Sequence, residues 1–283
     1  HRDLHSFPTR RSSDLVVHTM HGPTGMHDLM SPWKRRVFEA AERVAGRCTD
    51  HMIAVSDITR RHVTRLGLVP PERTSTIYSG IDFARLDGAW DTAALRAELS
   101  LPAAGKLVVF VGRLDDAKAP DVLVSAFALA SRRHPDATLV IVGDGDLEGS
   151  IRALIAQLGI RDRVRMLGTR HDVPAILRLA DVFALSSLWE GVGRAMTEAM
   201  LLGVPVVAPD IYGIPEVVHN ERTGLLFPRG DVDALARAMS RLLADPTLAA
   251  RLGSNGRSLT RRIFDGDSMV RAIEALYEEL LAR

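Results

Sequence analysis

Short apolar runs alternate along this chain with longer stretches of helical periodicity, and the alternation begins near residue 16. Residues 16–20, 52–56 and 74–78 read as strands, with helices over 32–47 and 57–66 between them. Ser31 followed by Pro32 marks one helix start, and Ser56-Asp57 marks the next. A bridge over 83–105 holds one short helix at 92–99, and then a second series begins. Its strands are expected at 107–111, 138–142, 164–167, 181–185, 204–208 and 224–227. Its helices are expected at 121–133, 147–158, 174–179, 194–202 and 232–243, with closing helices over 247–261 and 268–282. Leu107-Val108-Val109-Phe110-Val111 shows no polar alternation, as a parallel strand covered on both faces requires.

Strand and helix in strict succession predict an α/β chain with two Rossmann-like, doubly wound domains. The first, over 16–86, is too short to be a complete domain, so it is expected to lack an N-terminal portion. The second is expected over 87–265, with 266–283 as a helix returning toward the first. Residues 1–15 carry no periodic apolar pattern and are expected to be non-native or disordered.

Composition narrows the class. Of 283 residues, 46% are hydrophobic and 25% charged, which fits a soluble globular protein. A formal net charge of +1 gives no reason to expect nucleic acid or strong membrane attraction. Peripheral contact with the inner membrane face through basic residues of the first domain stays open, without support from that net charge. No apolar run approaches the roughly 20 residues of a membrane helix. The single cysteine, Cys48, excludes an internal disulfide and fits a reducing, cytoplasmic setting.

The chemistry concentrates in Ser186-Ser187-Leu188-Trp189-Glu190-Gly191-Val192-Gly193-Arg194-Ala195-Met196-Thr197-Glu198-Ala199-Met200. A strand runs into a glycine turn that opens a helix, so unpaired amides and a positive helix end face the turn, which suits a phosphate. Glu190 stands in the turn, and Glu198 follows with seven residues between them. Glu198 lies among Met196, Ala199 and Met200 and is expected to be the more deeply buried of the two, placed to accept ribose hydroxyls. Gly112-Arg113 leaves the strand 107–111, and Lys118 lies in the loop after it. Those two cations, facing Gly191–Gly193, are expected to hold a diphosphate from both sides. His18, His21 and Gly22 sit at the carboxyl end of the first strand, where open α/β sheets bind ligands.

Several segments together carry a family resemblance. Val111-Gly112-Arg113-Leu114 with Lys118 and Asp121-Val122-Leu123 resembles the donor loop of family 4 glycosyltransferases, of GT-B fold. Ile77-Tyr78-Ser79-Gly80-Ile81-Asp82 is similar to that family's interdomain hinge, and Glu190 through Glu198 to its glutamate–seven–glutamate motif. Gly203-Val204-Pro205-Val206-Val207-Ala208, Gly213-Ile214-Pro215-Glu216-Val217-Val218 and Thr223-Gly224-Leu225-Leu226-Phe227 resemble the segments after it, and Val17-His18-Thr19-Met20-His21-Gly22 resembles the histidine-bearing strand end of the N-terminal domain. The resemblance implies a retaining, metal-independent transfer of a sugar from a nucleoside-diphosphate sugar to a hydroxyl acceptor, with no cofactor. It implies Glu190 on the sugar, His21 near sugar and acceptor, and Glu198 on the ribose. It also implies Thr169 and Arg170 near the base, and Gly112, Arg113, Lys118, Gly191, Val192 and Gly193 around the diphosphate. The acceptor class stays open among saccharide, lipid-linked saccharide and small alcohol.

Three departures stand out. The family's N-terminal glycine-rich loop has no counterpart, Val192 replaces a frequent aromatic, and Ser79 replaces a common Asn. A nucleotide-sugar-binding chain without transfer, and a GT-B sugar-nucleotide epimerase, remain the alternatives. Asp144-Gly145-Asp146 has the form of a metal-binding D-x-D but reads better as a strand-end turn.

Overall fold

The computed structural model describes residues 15–21, 31–86, 88, 90–102 and 105–282. Residues 1–14, called non-native or disordered above, and Gly22 lie outside the described residues. Contacts divide the chain into two units. One runs to Tyr78 and takes in the residues from Asp267 onward; the other spans Ser79–Gly266. The division comes after Tyr78 and not at 86/87, because Ile81 bridges to Asp265 and its N–H donates to the Phe264 carbonyl at 2.8 Å. Residues 79–86 therefore belong to the second unit.

In the first unit, β1 (Val17–Met20), β2 (His51–Ala54) and β3 (Thr74–Thr76) form a parallel sheet in that order. Successive strand residues point to opposite faces, and β2 shows what that does. Met52 packs with Met20, Val63, Leu68 and Val69 on one side. Its neighbour Ile53 packs with Leu276 and Leu280 on the other, joined by Val17, Ile77 and Ile273. Helix α2 (Asp57–Arg65) supplies Val63 to the first cluster. Ser56 caps α2 by accepting from the Thr59 N–H at 3.2 Å. Helix α1 (Pro32–Arg47) starts at Ser31 as expected, but the Ser31 side chain makes no capping bond. Helix α10 (Gly266–Leu281) brings Ile273, Leu276 and Leu280, one helical stripe, onto Ile53.

The second unit holds β4 (Leu107–Val111), β5 (Thr138–Val142), β6 (Val164–Met166), β7 (Val182–Ala184), β8 (Val206–Pro209) and β9 (Leu225–Phe227). All neighbours pair in parallel, in the order β6-β5-β4-β7-β8-β9. The chain winds outward from β4 in one direction and from β7 in the other, so the order reverses between those two strands. Helices α3 (Thr92–Glu98), α4 (Pro120–Ser131), α5 (Glu148–Gln157), α6 (Val173–Arg178), α7 (Arg194–Leu201), α8 (Val232–Ala244) and α9 (Pro246–Ile263) complete it. Val108, Val109, Phe110, Val182 and Phe183 are fully buried, as strands covered on both sides must be. At the foot of the reversal Asp181 joins the strands: it accepts the Leu107 N–H at 2.8 Å and the Lys106 ammonium at 3.0 Å.

Asp144-Gly145-Asp146 has a packing role. Gly143 adopts φ +124°, and a Cβ there would lie 2.0 Å from the Gly112 carbonyl oxygen. Gly145 is similarly placed against Leu114, which donates to the Asp144 carbonyl at 2.7 Å. The exits of β4 and β5 thus touch backbone to backbone. Gly143→Ala is expected to cost on the order of 2–4 kcal/mol, read as a lower urea midpoint. Gly149, in the first turn of α5 with open space at its Cβ position, should instead gain about 0.5 kcal/mol as Ala.

Candidate functional site

The carboxyl ends of β4 and β7 flank the reversal, and open α/β sheets bind ligands at such a point. Both loops leaving these ends are tied together. The Ala117 carbonyl accepts from the Leu188 N–H at 2.8 Å and the Trp189 N–H at 3.3 Å. The fully buried Ser186 hydroxyl donates to the Lys118 carbonyl at 2.8 Å. The Lys118 ammonium then donates to Glu190, and the Ser187 hydroxyl reaches the same carboxylate oxygen at 3.4 Å. Lys118, expected on the diphosphate, and Glu190, expected on the sugar, are here each other's counter-ion.

Local backbone chemistry holds this arrangement. Asp115 accepts the Lys118 N–H at 3.0 Å, bending the loop back before α4. Ala119 follows in the left-handed region at φ 45°, which alanine seldom adopts, just ahead of Pro120 at the first position of α4. After β7, Gly193 has φ 81° and serves as N-cap of α7. A Cβ on Gly213 would stand 2.5 Å from the Gly191 carbonyl, so the Gly213 turn and the Gly191 turn press together. The Tyr212 ring, beside it, meets Trp189 with centroids 6.5 Å apart.

Glu198 and Arg170 open onto a second feature, a cavity of about 530 Å³. Arg85, Trp90, His171 and Arg194 line it as well. Glu198 accepts from Arg194 at 3.1 Å across one helical turn. It was expected to be the more buried glutamate, but its side chain is 18% exposed against 12% for Glu190. The reason is helical geometry: Met196, Ala199 and Met200 fill the core face, leaving Glu198 at its margin.

Other candidates are engaged elsewhere. Arg113 does not face the glycine turn; its side chain is 79% exposed and pairs with Asp115 at 2.7 Å. The Thr169 hydroxyl donates to Asp144 at 2.8 Å. Arg170 grips Asp172 with two donors, at 2.8 and 2.7 Å, and reaches Glu98 at 3.0 Å. The Asp172 and Glu98 carboxylates hold its guanidinium protonated well above the ordinary arginine range. Hydrogen bonds from Arg170 hold the Asp172 carboxyl below its usual range. In the first unit, His21 is exposed at the carboxyl end of β1. Val192 is half-buried in the turn between Gly191 and Gly193.

The match to known families decides the identity of the chain. Residues 91–259 fit the profile described as "Glycosyl transferases group 1", and residues 7–85 fit "Glycosyltransferase Family 4". The chain belongs to the group 1, family 4 glycosyltransferases. Its α/β fold, with parallel sheets, is of GT-B type. Among curated relatives, the D-inositol 3-phosphate glycosyltransferase of Salinispora tropica is 37% identical over 75% of this chain, which spans only 47% of that protein. The UDP-Gal:alpha-D-GlcNAc-diphosphoundecaprenol alpha-1,3-galactosyltransferase of Escherichia coli is 29% identical over 92% of this chain and 67% of its own length. Among solved structures, Anabaena Alr3699/HepE in complex with UDP-glucose superposes with a TM-score of 0.84 at 27% identity, covering 94% of this chain and 72% of that one.

In this family 4 member, Gly112, Lys118, Glu190, Gly191 and Gly193 lie on the two tied loops, while Arg170 and Glu198 share the cavity. Ser186, Gly213 and Arg194 stand in the quoted motifs without a role of their own, and Trp90 stands in none. Gly213 sits in a recognisable Tyr-Gly-Ile-Pro turn, whereas a buried hydroxyl bonding to a carbonyl 68 positions away leaves no sequence signal.

Asp172 sets an acid limit. Its folded pKa lies below the ordinary 3.8, so the ionised pair with Arg170 adds stability above that pH, and the gain disappears as pH falls through the folded value. Asp172→Asn should lower the thermal midpoint at neutral pH, and the difference from the parent should close as the pH falls through the lowered folded pKa of Asp172.

Proposed function

We propose that this protein is a retaining, metal-independent glycosyltransferase that moves a sugar from a nucleoside-diphosphate sugar to a hydroxyl acceptor. The observation that carries the reading is the junction of the β4–α4 and β7–α7 loops at the strand-order reversal, with Lys118 and Glu190 in contact there. A departing nucleoside diphosphate develops negative charge that has to be met by fixed donors. Lys118, the amides around Gly191–Gly193 and the N-terminus of α7 provide them, and Gly112 keeps the floor of the crevice free of a side chain. On binding, the diphosphate replaces Glu190 as counter-ion of Lys118, and the released carboxylate turns to the sugar. Arg113 leaves Asp115 to close on the phosphates from the outer side. Glu198, held by Arg194, accepts the ribose hydroxyls at the cavity, with Thr169 and Arg170 toward the base. His21, on the first unit, serves sugar and acceptor. Support for a nucleotide-sugar donor comes from Anabaena HepE, which was solved with UDP-glucose.

For the acceptor, we favour a lipid-linked saccharide over a free saccharide or a small alcohol; the E. coli relative's name specifies such an acceptor. The exposed Cys48 suits a reducing, cytoplasmic setting. Among the described residues no helix is long and apolar enough to cross a membrane.

Calorimetric titration of the full chain with UDP, GDP and ADP in EDTA tests the donor site. One of the three is expected to bind, and Lys118→Ala and Glu198→Ala should each weaken it roughly tenfold or more. Binding that appears only when Mn²⁺ is added would refute metal independence. Glu190→Gln has the opposite expected sign: with its competitor gone, Lys118 should take the nucleoside diphosphate about three- to tenfold more tightly, while sugar transfer falls. Unchanged or weaker binding would argue against counter-ion exchange.

A further inference from the structure

Four non-glycine residues among those described hold φ in the left-handed region, and Tyr212, at φ 43°, is the one aromatic among them. A bulky side chain at such an angle crowds its own backbone. A residue free of that penalty stands next to it. Gly213 tolerates either hand, yet it adopts φ −81°, an ordinary right-handed geometry. Its missing side chain serves a different end: a Cβ there would lie 2.5 Å from the Gly191 carbonyl oxygen and 3.3 Å from Val192.

The turn that imposes this angle is closed by short bonds. The Ile211 N–H donates to the Pro209 carbonyl at 3.0 Å, and the Ile214 N–H to the Ile211 carbonyl at 3.1 Å. The turn follows the carboxyl end of β8, which pairs with β7, so it stands on the same edge of the sheet as the Glu190 turn. Two contacts join these turns on either side of Glu190. Trp189, the residue before it, meets the Tyr212 ring with centroids 6.5 Å apart and planes tilted by 58°. Gly191, the residue after it, presses on Gly213, the residue after Tyr212. Packing between the two rings does not by itself account for the tyrosine. At that tilt neither ring covers the other's face, and both residues stay half-buried. Backbone strain of this kind persists where the surroundings enforce it, and it gathers at ligand sites.

We infer that Tyr212 is a specificity-determining residue for the transferred sugar. A pyranose carries its hydroxyls around the rim and C–H bonds across its faces. An aromatic face, negative at its centre, attracts those C–H groups, while a carboxylate at the rim accepts from the hydroxyls. Tyr212 supplies the first and Glu190 the second, from two turns locked together. Trp189 and the left-handed backbone fix the Tyr212 ring before the sugar arrives, which keeps the ordering cost of binding low. The inference rests on the donor site proposed above and adds what that site asks of the sugar: a ring with one flat face poor in hydroxyls.

Titration calorimetry of the full chain with UDP, GDP and ADP, and with their glucose conjugates, tests it in the parent and in Tyr212→Phe, Tyr212→Leu and Tyr212→Gly. Phenylalanine and leucine carry the same backbone penalty at this angle, so a difference between them reports the ring face. The affinity of the glucose conjugate, relative to that of the free nucleoside diphosphate, should match the parent in Tyr212→Phe. It should fall about three- to tenfold in Tyr212→Leu and Tyr212→Gly. Affinity for the free nucleoside diphosphate should be the same in parent and variants, which separates this result from failure of the donor site. Tyr212→Gly, released from the strain, should melt no lower than the parent. An unchanged affinity ratio in Tyr212→Leu would overturn the proposal, and joined to a lower melting point in Tyr212→Gly it would assign the ring to holding the turn. Equal losses for the free nucleoside diphosphate and its conjugate would overturn it as well.

Discussion

The Ala117 carbonyl, accepting from two consecutive amides of the β7–α7 loop, is the constraint on which the candidate donor site depends. Parallel pairing brings β4 and β7 side by side but leaves the loops beyond them free to diverge. The double acceptance closes that freedom at backbone level, and Ser186 reinforces it from below through the Lys118 carbonyl. Only with both loops fixed does a lysine from one meet a glutamate from the other. The left-handed Ala119 is the local cost of this arrangement. It turns the chain sharply enough for α4 to begin at Pro120 while Lys118 still points into the crevice.

Below this junction, close contact without side chains does the same work by other means. Gly143 against Gly112, Gly145 against Leu114 and Gly213 against Gly191 are three places where backbones touch with no room for a Cβ. Together they hold neighbouring loop exits against one another through main chain. The chemistry added to that frame is sparse: Lys118, Glu190 and a turn of amides. An arrangement of few charged groups on a rigid backbone keeps the cost of ordering them low when a ligand enters.

Much of this was legible in the sequence because parallel strands buried on both faces are written as unbroken apolar runs, and Glu190 through Glu198 is a compact, distinctive string. What escaped depends on long-range contact. The unit boundary was placed after the glycine-containing linker, yet Ile81 pairs beside Phe264 and Asp265, a partnership no local pattern announces. Glu198 was read as the deeper carboxylate from its apolar neighbours, although those neighbours occupy the core face and push it to the margin. Arg113 was aimed at the glycine turn from its position at a strand end, but Asp115, two residues on, captures it.

Helix α10 has a consequence for how the molecule is made. It comes from beyond Gly266, yet Leu276 and Leu280 close the Ile53 side of a sheet whose strands are encoded before Tyr78. On the ribosome the first unit must therefore wait, one face of its sheet uncovered, while the whole of Ser79–Gly266 emerges and folds. Domains usually complete themselves in order of synthesis; here the earlier-made unit is finished later. The interval is the time in which an unprotected β-sheet face invites aggregation or the grip of a chaperone, and chain elongation sets its length.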